Sequence, residues 1–128
     1  MNKLNEEQIK DILTTAIEGG INYWTCLHND HPDWVAARKM LKEQHGETPC
    51  YCDVAYELLF NNKAVVFSDA EDDDEIWELT LEKFLNGCRL YEENTGKSLP
   101  KIIDECDYDA EDADCVIQYA LFGELIFG

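Results

Sequence analysis

Basic side chains are scarce in this chain of 128 residues. Ten Lys and Arg stand against 28 Asp and Glu, which gives a formal net charge of -18 and a sequence pI near 4.2. A surface of this sign repels the phosphates of nucleic acids and of anionic membranes. We therefore expect no direct binding to nucleic acid or to a membrane, and the charge favours basic protein surfaces or cations as partners.

Long apolar stretches are also missing. No run approaches the roughly 20 apolar residues that a membrane-spanning helix needs. The polar segment Met1–Gln8 lacks the features of a secretory or transit signal. Six Cys without such a signal are typical of reduced thiols in a cytoplasm and not of a disulfide framework. The predicted location is the cytoplasm.

Sequence motifs for catalysis or cofactor binding are absent as well. Gly19-Gly20 follow a helical pattern, so they would face carbonyl groups and not the amide-rich helix start that binds phosphate. Cys26 is the one thiol with histidines close by in the sequence, and nothing like a nucleophile elbow surrounds it. The sequence predicts a protein that is not an enzyme and has no catalytic residue and no cofactor.

The composition supports one folded domain over residues 1–128. Hydrophobic residues make up 45% of the chain and aromatic residues 11%, which is enough apolar material for a core. Start signals for helices recur at Asn5, Pro32, Pro49, Thr80 and either Asp109 or Asp107, each followed by apolar residues at helical spacing. These patterns predict about five helices.

Short runs rich in β-favouring residues lie between the helices. Residues 21–27 are predicted as a strand, residues 63–68 and 76–79 as a hairpin, and residues 125–127 as an edge strand. The fold class is therefore α+β, with about five helices and a small antiparallel sheet of two to four strands. Cys26, Cys88 and Cys115 are predicted as small core residues.

The acidic residues concentrate in two segments. Asp69–Glu82 holds eight of them and Asp104–Asp114 holds seven. We predict that these segments form a partner-binding acidic surface made of Asp69, Glu71, Asp72, Asp73, Asp74, Glu75, Glu78, Asp104, Asp107, Asp109, Glu111 and Asp112. Duplex DNA carries one charge per ~1.7 Å, so the net charge corresponds to roughly 30 Å of duplex. Mimicry of DNA and plain solvation of the protein both fit this charge.

Metal sites are the weaker interpretation of the same residues. Asp107, Asp109, Glu111 and Asp112 offer oxygen ligands, but the glycine and the final bidentate Glu of a helix–loop–helix calcium site are missing. Cys26, His28 and His31 together with Cys50-x-Cys52 offer zinc ligands, although the second spacing is short. We predict no metal site, and Asp109–Asp114 are expected to cap the last helix.

Tyr23 and Trp24 follow the double glycine. Two aromatic residues at this position are candidates for a small pocket or a partner groove. The alternative is that one of them belongs to the core of a buried strand. Gln118 and Tyr119 of the last helix are expected to be structural.

Three segments resemble known sequences: residues 16–24 (AIEGGINYW), 79–87 (LTLEKFLNG) and 113–128 (ADCVIQYALFGELIFG). They are similar to a family of small, acidic, uncharacterised proteins of bacteriophages and prophages. The resemblance implies an accessory protein of a mobile element that acts in the cytoplasm of a bacterial host. It carries over no functional residues.

These observations together predict an anti-defence or host-takeover inhibitor, of the anti-restriction or anti-CRISPR kind. Its predicted partner is a bacterial nucleic-acid-binding protein or defence complex with a basic surface. The alternative is a small-ligand-binding or metal-stabilised protein of the same origin. A homodimer is compatible with either function.

Overall fold

A computed structural model describes residues 4–128, so the first three residues of the polar N-terminus lie outside the described part. Six α-helices are present there: α1 (Glu6–Thr15), α2 (Pro32–His45), α3 (Tyr51–Phe60), α4 (Leu81–Thr95), α5 (Leu99–Asp104) and α6 (Ala110–Phe122). Three strands form the sheet: β1 (Thr25–Leu27), β2 (Val65–Asp69) and β3 (Ile76–Leu79). The predicted α+β class with a small antiparallel sheet is confirmed.

Four of the six described helices start at a residue whose side chain accepts a hydrogen bond from an amide of the first turn, whereas α3 starts at Tyr51, two residues after the predicted Pro49. Asn5 and Gln8 form a reciprocal capping box on α1, and Asp109 and Asp112 form another on α6. The Thr80 side chain accepts a hydrogen bond from the Lys83 amide at the start of α4. Each cap satisfies an amide that has no partner within its helix, which explains why the sequence located these starts correctly.

The sheet is antiparallel with the order β1-β2-β3. Its central strand β2 is buried from Val65 to Ser68, so both of its faces are covered. Phe67 stands opposite Leu27 on β1 and Trp77 on β3. The β2–β3 loop, residues 70–75, joins these two strands and holds five of the eight acidic residues of the first acidic segment.

Two of the predicted strands differ from the structure. Only Thr25–Leu27 of the predicted strand 21–27 is extended, because a π-helical segment, Ala16–Gly20, prolongs α1 and residues 22–24 form a turn. The predicted edge strand 125–127 is irregular, and its backbone is held by a side chain of α6 instead of by a sheet.

The core is one continuous cluster of apolar side chains from all six helices and the sheet. Helices α4 and α6 form its most extensive helix pair. They approach closely because Gly87 of α4 faces the backbone of α6 at Val116 and Ala120. The prediction that Cys26 belongs to the core is wrong, since this side chain is exposed; Cys88 is buried and Cys115 is half-buried.

No helix within residues 4–128 is both long enough and apolar enough to cross a membrane.

Candidate functional site: the acidic segments and the groove beside α6

The β2–β3 loop presents most of the first acidic segment to solvent. Glu71, Asp72, Asp73, Asp74 and Glu75 are exposed. The loop has a defined shape, because the Asp69 carboxylate accepts the Glu71 amide at 2.8 Å and the Asp72 carboxylate accepts the Asp74 amide at 3.0 Å. The carboxylates are therefore displayed from an ordered turn.

The second acidic segment surrounds the start of α6. Asp104, Asp107, Asp109 and Glu111 are exposed. Asp112 differs from them, because its half-buried carboxylate accepts the Tyr91 hydroxyl at 2.6 Å and lies 3.9 Å from the Lys97 ammonium. Asp112 thus has a structural role in joining α6 to α4.

Ten of the twelve predicted surface residues are exposed, and the exceptions Asp69 and Asp112 are half-buried. Within residues 4–128, the only member of this set with an ion pair is Asp112. The negative charges of both segments are therefore largely uncompensated by the protein's own cations. Such charges interact with solvent ions or with cations of a partner.

Trp24 connects the two acidic segments. Its carbonyl accepts the Ala70 amide of the β2–β3 loop at 3.0 Å, and its indole Nε1 donates to the Asp114 carboxylate of α6 at 2.8 Å. The indole is buried and lies among the rings of Trp77, Phe122 and Phe127, with Phe127 stacked on it at a centroid distance of 4.7 Å. The alternative prediction, that one of the two aromatic residues belongs to the core, is confirmed for Trp24. This residue lies in a turn, however, and not in a strand.

Asp114 is the centre of a polar cluster beneath this aromatic group. Its carboxylate is buried and accepts three hydrogen bonds, from the Trp24 indole, from the Gln118 amide at 2.9 Å and from the Tyr23 hydroxyl at 2.5 Å. All three donors are neutral, and no Lys, Arg or His lies within 4.0 Å of this carboxylate in the described chain. The arrangement buries a carboxylate with hydrogen bonds but without a cation.

Gln118 ties the C-terminal segment to this cluster. Its Oε1 accepts the amides of Ile126 and Phe127, each at 2.9 Å, and its Nε2 also donates to the Phe127 carbonyl at 3.2 Å. One buried side chain therefore replaces the backbone partners that a strand would have supplied. The expectation that Gln118 is structural is confirmed.

A groove of about 550 Å³ opens beside the cluster. Its lining includes Gly19, Tyr23, Glu111, Asp114, Leu125 and Phe127. Tyr23 is 56% exposed at this groove while its hydroxyl is held by Asp114. Sequence reasoning missed Asp114 as a site residue, because its interaction with Trp24 spans 90 positions of the chain. A faint signal existed, since Asp114 and Gln118 stand one helical turn apart.

The environment of Tyr23 disfavours loss of its proton. Burial raises its pKa, and the adjacent Asp114 carboxylate raises it further, to about 12 from an ordinary value of 10.0. A tyrosinate at this position would lose the hydrogen bond to Asp114 and place two negative charges side by side. The neutral phenol is therefore the form that the fold stabilises.

Alkaline pH is expected to destabilise the protein through Tyr23. The folded pKa of about 12 exceeds the ordinary 10.0, so this stabilisation is fully present below 10.0 and is lost as the pH rises towards 12. The Tyr23→Phe variant should lack this part of the loss. Free energies of unfolding of both proteins below and within this window measure it. Tyr91 and Tyr108, whose pKa values are also raised, are common to both proteins. Parallel loss of stability in both proteins would contradict the assignment.

The cysteines and histidines of the alternative zinc site do not meet. His28 pairs with Asp30 at 2.8 Å, His31 caps α2, and Cys50 is exposed where Cys52 is buried. Within residues 4–128, no three His, Cys, Asp or Glu are arranged to hold a metal ion. The acidic residues considered as calcium ligands are included in this result. Burial raises the pKa values of the Cys52, Cys88 and Cys115 thiols, which disfavours the nucleophilic thiolate form.

Comparison of the chain with protein-family models, with curated protein sequences and with solved structures found no match.

Proposed function

We propose that this protein is a phage-type accessory protein that inhibits a nucleic-acid-binding protein of a bacterial host or its defence systems. It would do so by covering the basic surface on which that protein binds nucleic acid. The observation that carries the proposal is the display of ten exposed carboxylates on two ordered segments of a chain with a net charge of -18. The phage origin and the bacterial setting are part of the proposal, and they come from the resemblance suggested by residues 16–24, 79–87 and 113–128.

The local structure of the β2–β3 loop supports recognition as well as solubility. A solubility device needs charge but no fixed arrangement, whereas Asp69 and Asp72 use their carboxylates to shape the turn. A preformed turn loses less conformational entropy when a partner binds it. Exposed carboxylates on such a turn can replace phosphates opposite Lys and Arg side chains.

Electrostatics predicts how such a complex would behave. Attraction between oppositely charged surfaces accelerates association, and its range at physiological salt is a screening length of about 8 Å. Binding should therefore weaken as the salt concentration rises. Nucleic acid should compete with the protein for the same basic cleft, because both present closely spaced negative charges.

The proposal predicts capture of a basic, nucleic-acid-binding protein from a bacterial lysate at low salt. Release of the captured protein by added DNA or by high salt is expected, and mass spectrometry identifies it. Replacement of Glu71, Asp73 and Asp74 by Lys should weaken its binding by about 100-fold, because close charge pairs become repulsive. Binding measured with the purified partner checks this value.

A matched control variant shows whether binding depends on the acidic loop itself or only on the net charge of the protein. The exposed residues Glu7, Glu43 and Glu47 lie outside both acidic segments, and their replacement by Lys changes the net charge equally. This control variant should bind within about threefold of the wild type, because distant charges are screened. Equal losses in both variants, or no loss in either, would refute the proposed surface.

A further inference from the structure

The groove beside α6 combines apolar walls with two carboxylates. Leu125, Phe127 and Tyr23 supply apolar and aromatic parts of its lining. Glu111 is exposed at the rim, and the buried Asp114 lies in the lining. A cavity of this kind is complementary to a ligand that has an apolar stem and a positive end.

No basic side chain of the described chain pairs with the two carboxylates of the groove. Asp114 accepts hydrogen bonds from three neutral groups, and no Lys, Arg or His of the described chain lies within 4.0 Å of Asp114 or Glu111. Electrostatic interactions are stronger next to a partly buried carboxylate than on an open surface, because the solvent screens them less. A cation that enters the groove would therefore be attracted more strongly by Asp114 than by any single exposed carboxylate of the β2–β3 loop.

Tyr23 supplies a second feature that favours a cation. Its ring is largely exposed, but the hydroxyl is fixed by Asp114, which holds the ring at the groove. The face of an aromatic ring attracts a guanidinium or ammonium group. The planar guanidinium is less strongly hydrated than an ammonium and stacks on rings, so arginine suits these walls better than lysine.

We propose that the groove lined by Gly19, Tyr23, Glu111, Asp114 and Leu125 binds an arginine side chain of the basic partner protein. This inference rests on the proposed function and deepens it, since it locates one anchoring contact of the inhibitory complex. The arginine stem lies along Leu125 and Phe127, its guanidinium approaches the Tyr23 ring, and Glu111 and Asp114 supply the opposite charge.

The test is a titration of the full chain with N-acetyl-arginine methylamide, followed by NMR of the backbone amides. The neutral analogue N-acetyl-citrulline methylamide has nearly the same shape and serves as the reference ligand. Saturable shifts centred on Tyr23, Glu111, Asp114 and Gln118 are expected with the arginine probe and not with the citrulline probe. Equal shifts with both probes, or no saturable shift at the groove, would overturn the inference.

Two variants and one control variant locate the site. Gly19 lines the groove, its φ is not positive, and no atom lies within 4 Å of the position that a Cβ there would occupy, so Gly19→Leu starts its side chain in open space at the groove. It should weaken arginine binding by about tenfold or more, which corresponds to about 1.4 kcal/mol. Glu111→Gln should also weaken binding, whereas Glu71→Gln removes the same charge from the β2–β3 loop and should not. Equal effects of the two Gln variants, or unchanged binding by Gly19→Leu, would overturn the groove site.

The outcomes for the groove and for the proposed function can be told apart. A basic partner that is captured by the wild type and equally well by Gly19→Leu overturns the groove contact and leaves the proposed function. A saturable arginine site in a protein that captures no basic partner supports the groove and counts against the proposed function.

Discussion

The Gly87→Ala variant is expected to be about 3 kcal/mol less stable than the wild type, because its new methyl group has no room between α4 and α6. A Cβ at this position would stand 2.6 Å from the Val116 carbonyl oxygen and 2.7 Å from the Ala120 amide nitrogen and Cβ. Backbone atoms cannot rotate away as a flexible side chain can. The two helices must therefore separate, which loosens the central packing of the core.

Equilibrium unfolding in denaturant measures this loss. The midpoint should fall while the denaturant dependence of the unfolding free energy stays the same. Gly19→Ala is the matched control, because no atom lies within 4 Å of its added Cβ. Alanine is favoured over glycine in a helix by up to about 1 kcal/mol, so the control should be as stable as the wild type or slightly more stable. Wild-type stability of Gly87→Ala would show that α4 and α6 do not approach as described.

The second large effect is expected for Asp114→Ala, with a loss of about 3 kcal/mol of unfolding free energy. The Trp24 indole is buried among aromatic rings and would lose its acceptor. Gln118 would keep its bonds to the C-terminal segment, and the hydroxyl of Tyr23, a residue that is 56% exposed, would turn to solvent. Most of the loss therefore arises from one orphaned buried donor and from the space that the carboxylate leaves.

Asp114→Asn keeps an oxygen that accepts hydrogen bonds at this position but removes its negative charge. The amide oxygen can still accept from Trp24, and the amide nitrogen can donate to the Tyr23 hydroxyl, so a loss of about 1 kcal/mol is expected. Denaturant unfolding of the three proteins at one pH compares them. If the Asn and Ala variants lose the same stability, the charge of Asp114 and not its role as acceptor stabilises the fold.

Local sequence patterns were sufficient to predict most of the helices. The caps at Asn5, Thr80 and Asp109 are interactions within one helical turn, so the sequence displays both partners side by side. The β2–β3 hairpin was also predictable, because its two strands are neighbours in the sequence and a short polar loop joins them. The strand predicted for residues 21–27 was too long, because β-favouring residues there are used in a turn whose shape depends on α6 and on the β2–β3 loop.

The candidate site was predictable only in part. The exposed carboxylates follow from composition, since most acidic residues of a chain with so many of them must lie at its surface. The groove did not follow from the sequence. Tyr23 and Asp114 are 91 positions apart, and their contact exists only because the turn after the π-helical segment packs on α6.

The sequence by itself determined the net charge, the class of fold, most of the helix starts and the acidic character of two segments. These properties depend on residue composition and on neighbours within a few positions of the chain. Tertiary structure alone decided that Asp112 belongs to the fold, that Gln118 replaces a strand for residues 126–127, and that Asp114 is buried at a groove. The physical reason is that a side chain's burial and hydrogen-bond partners are set by distant segments, whose approach the packing of the whole core determines.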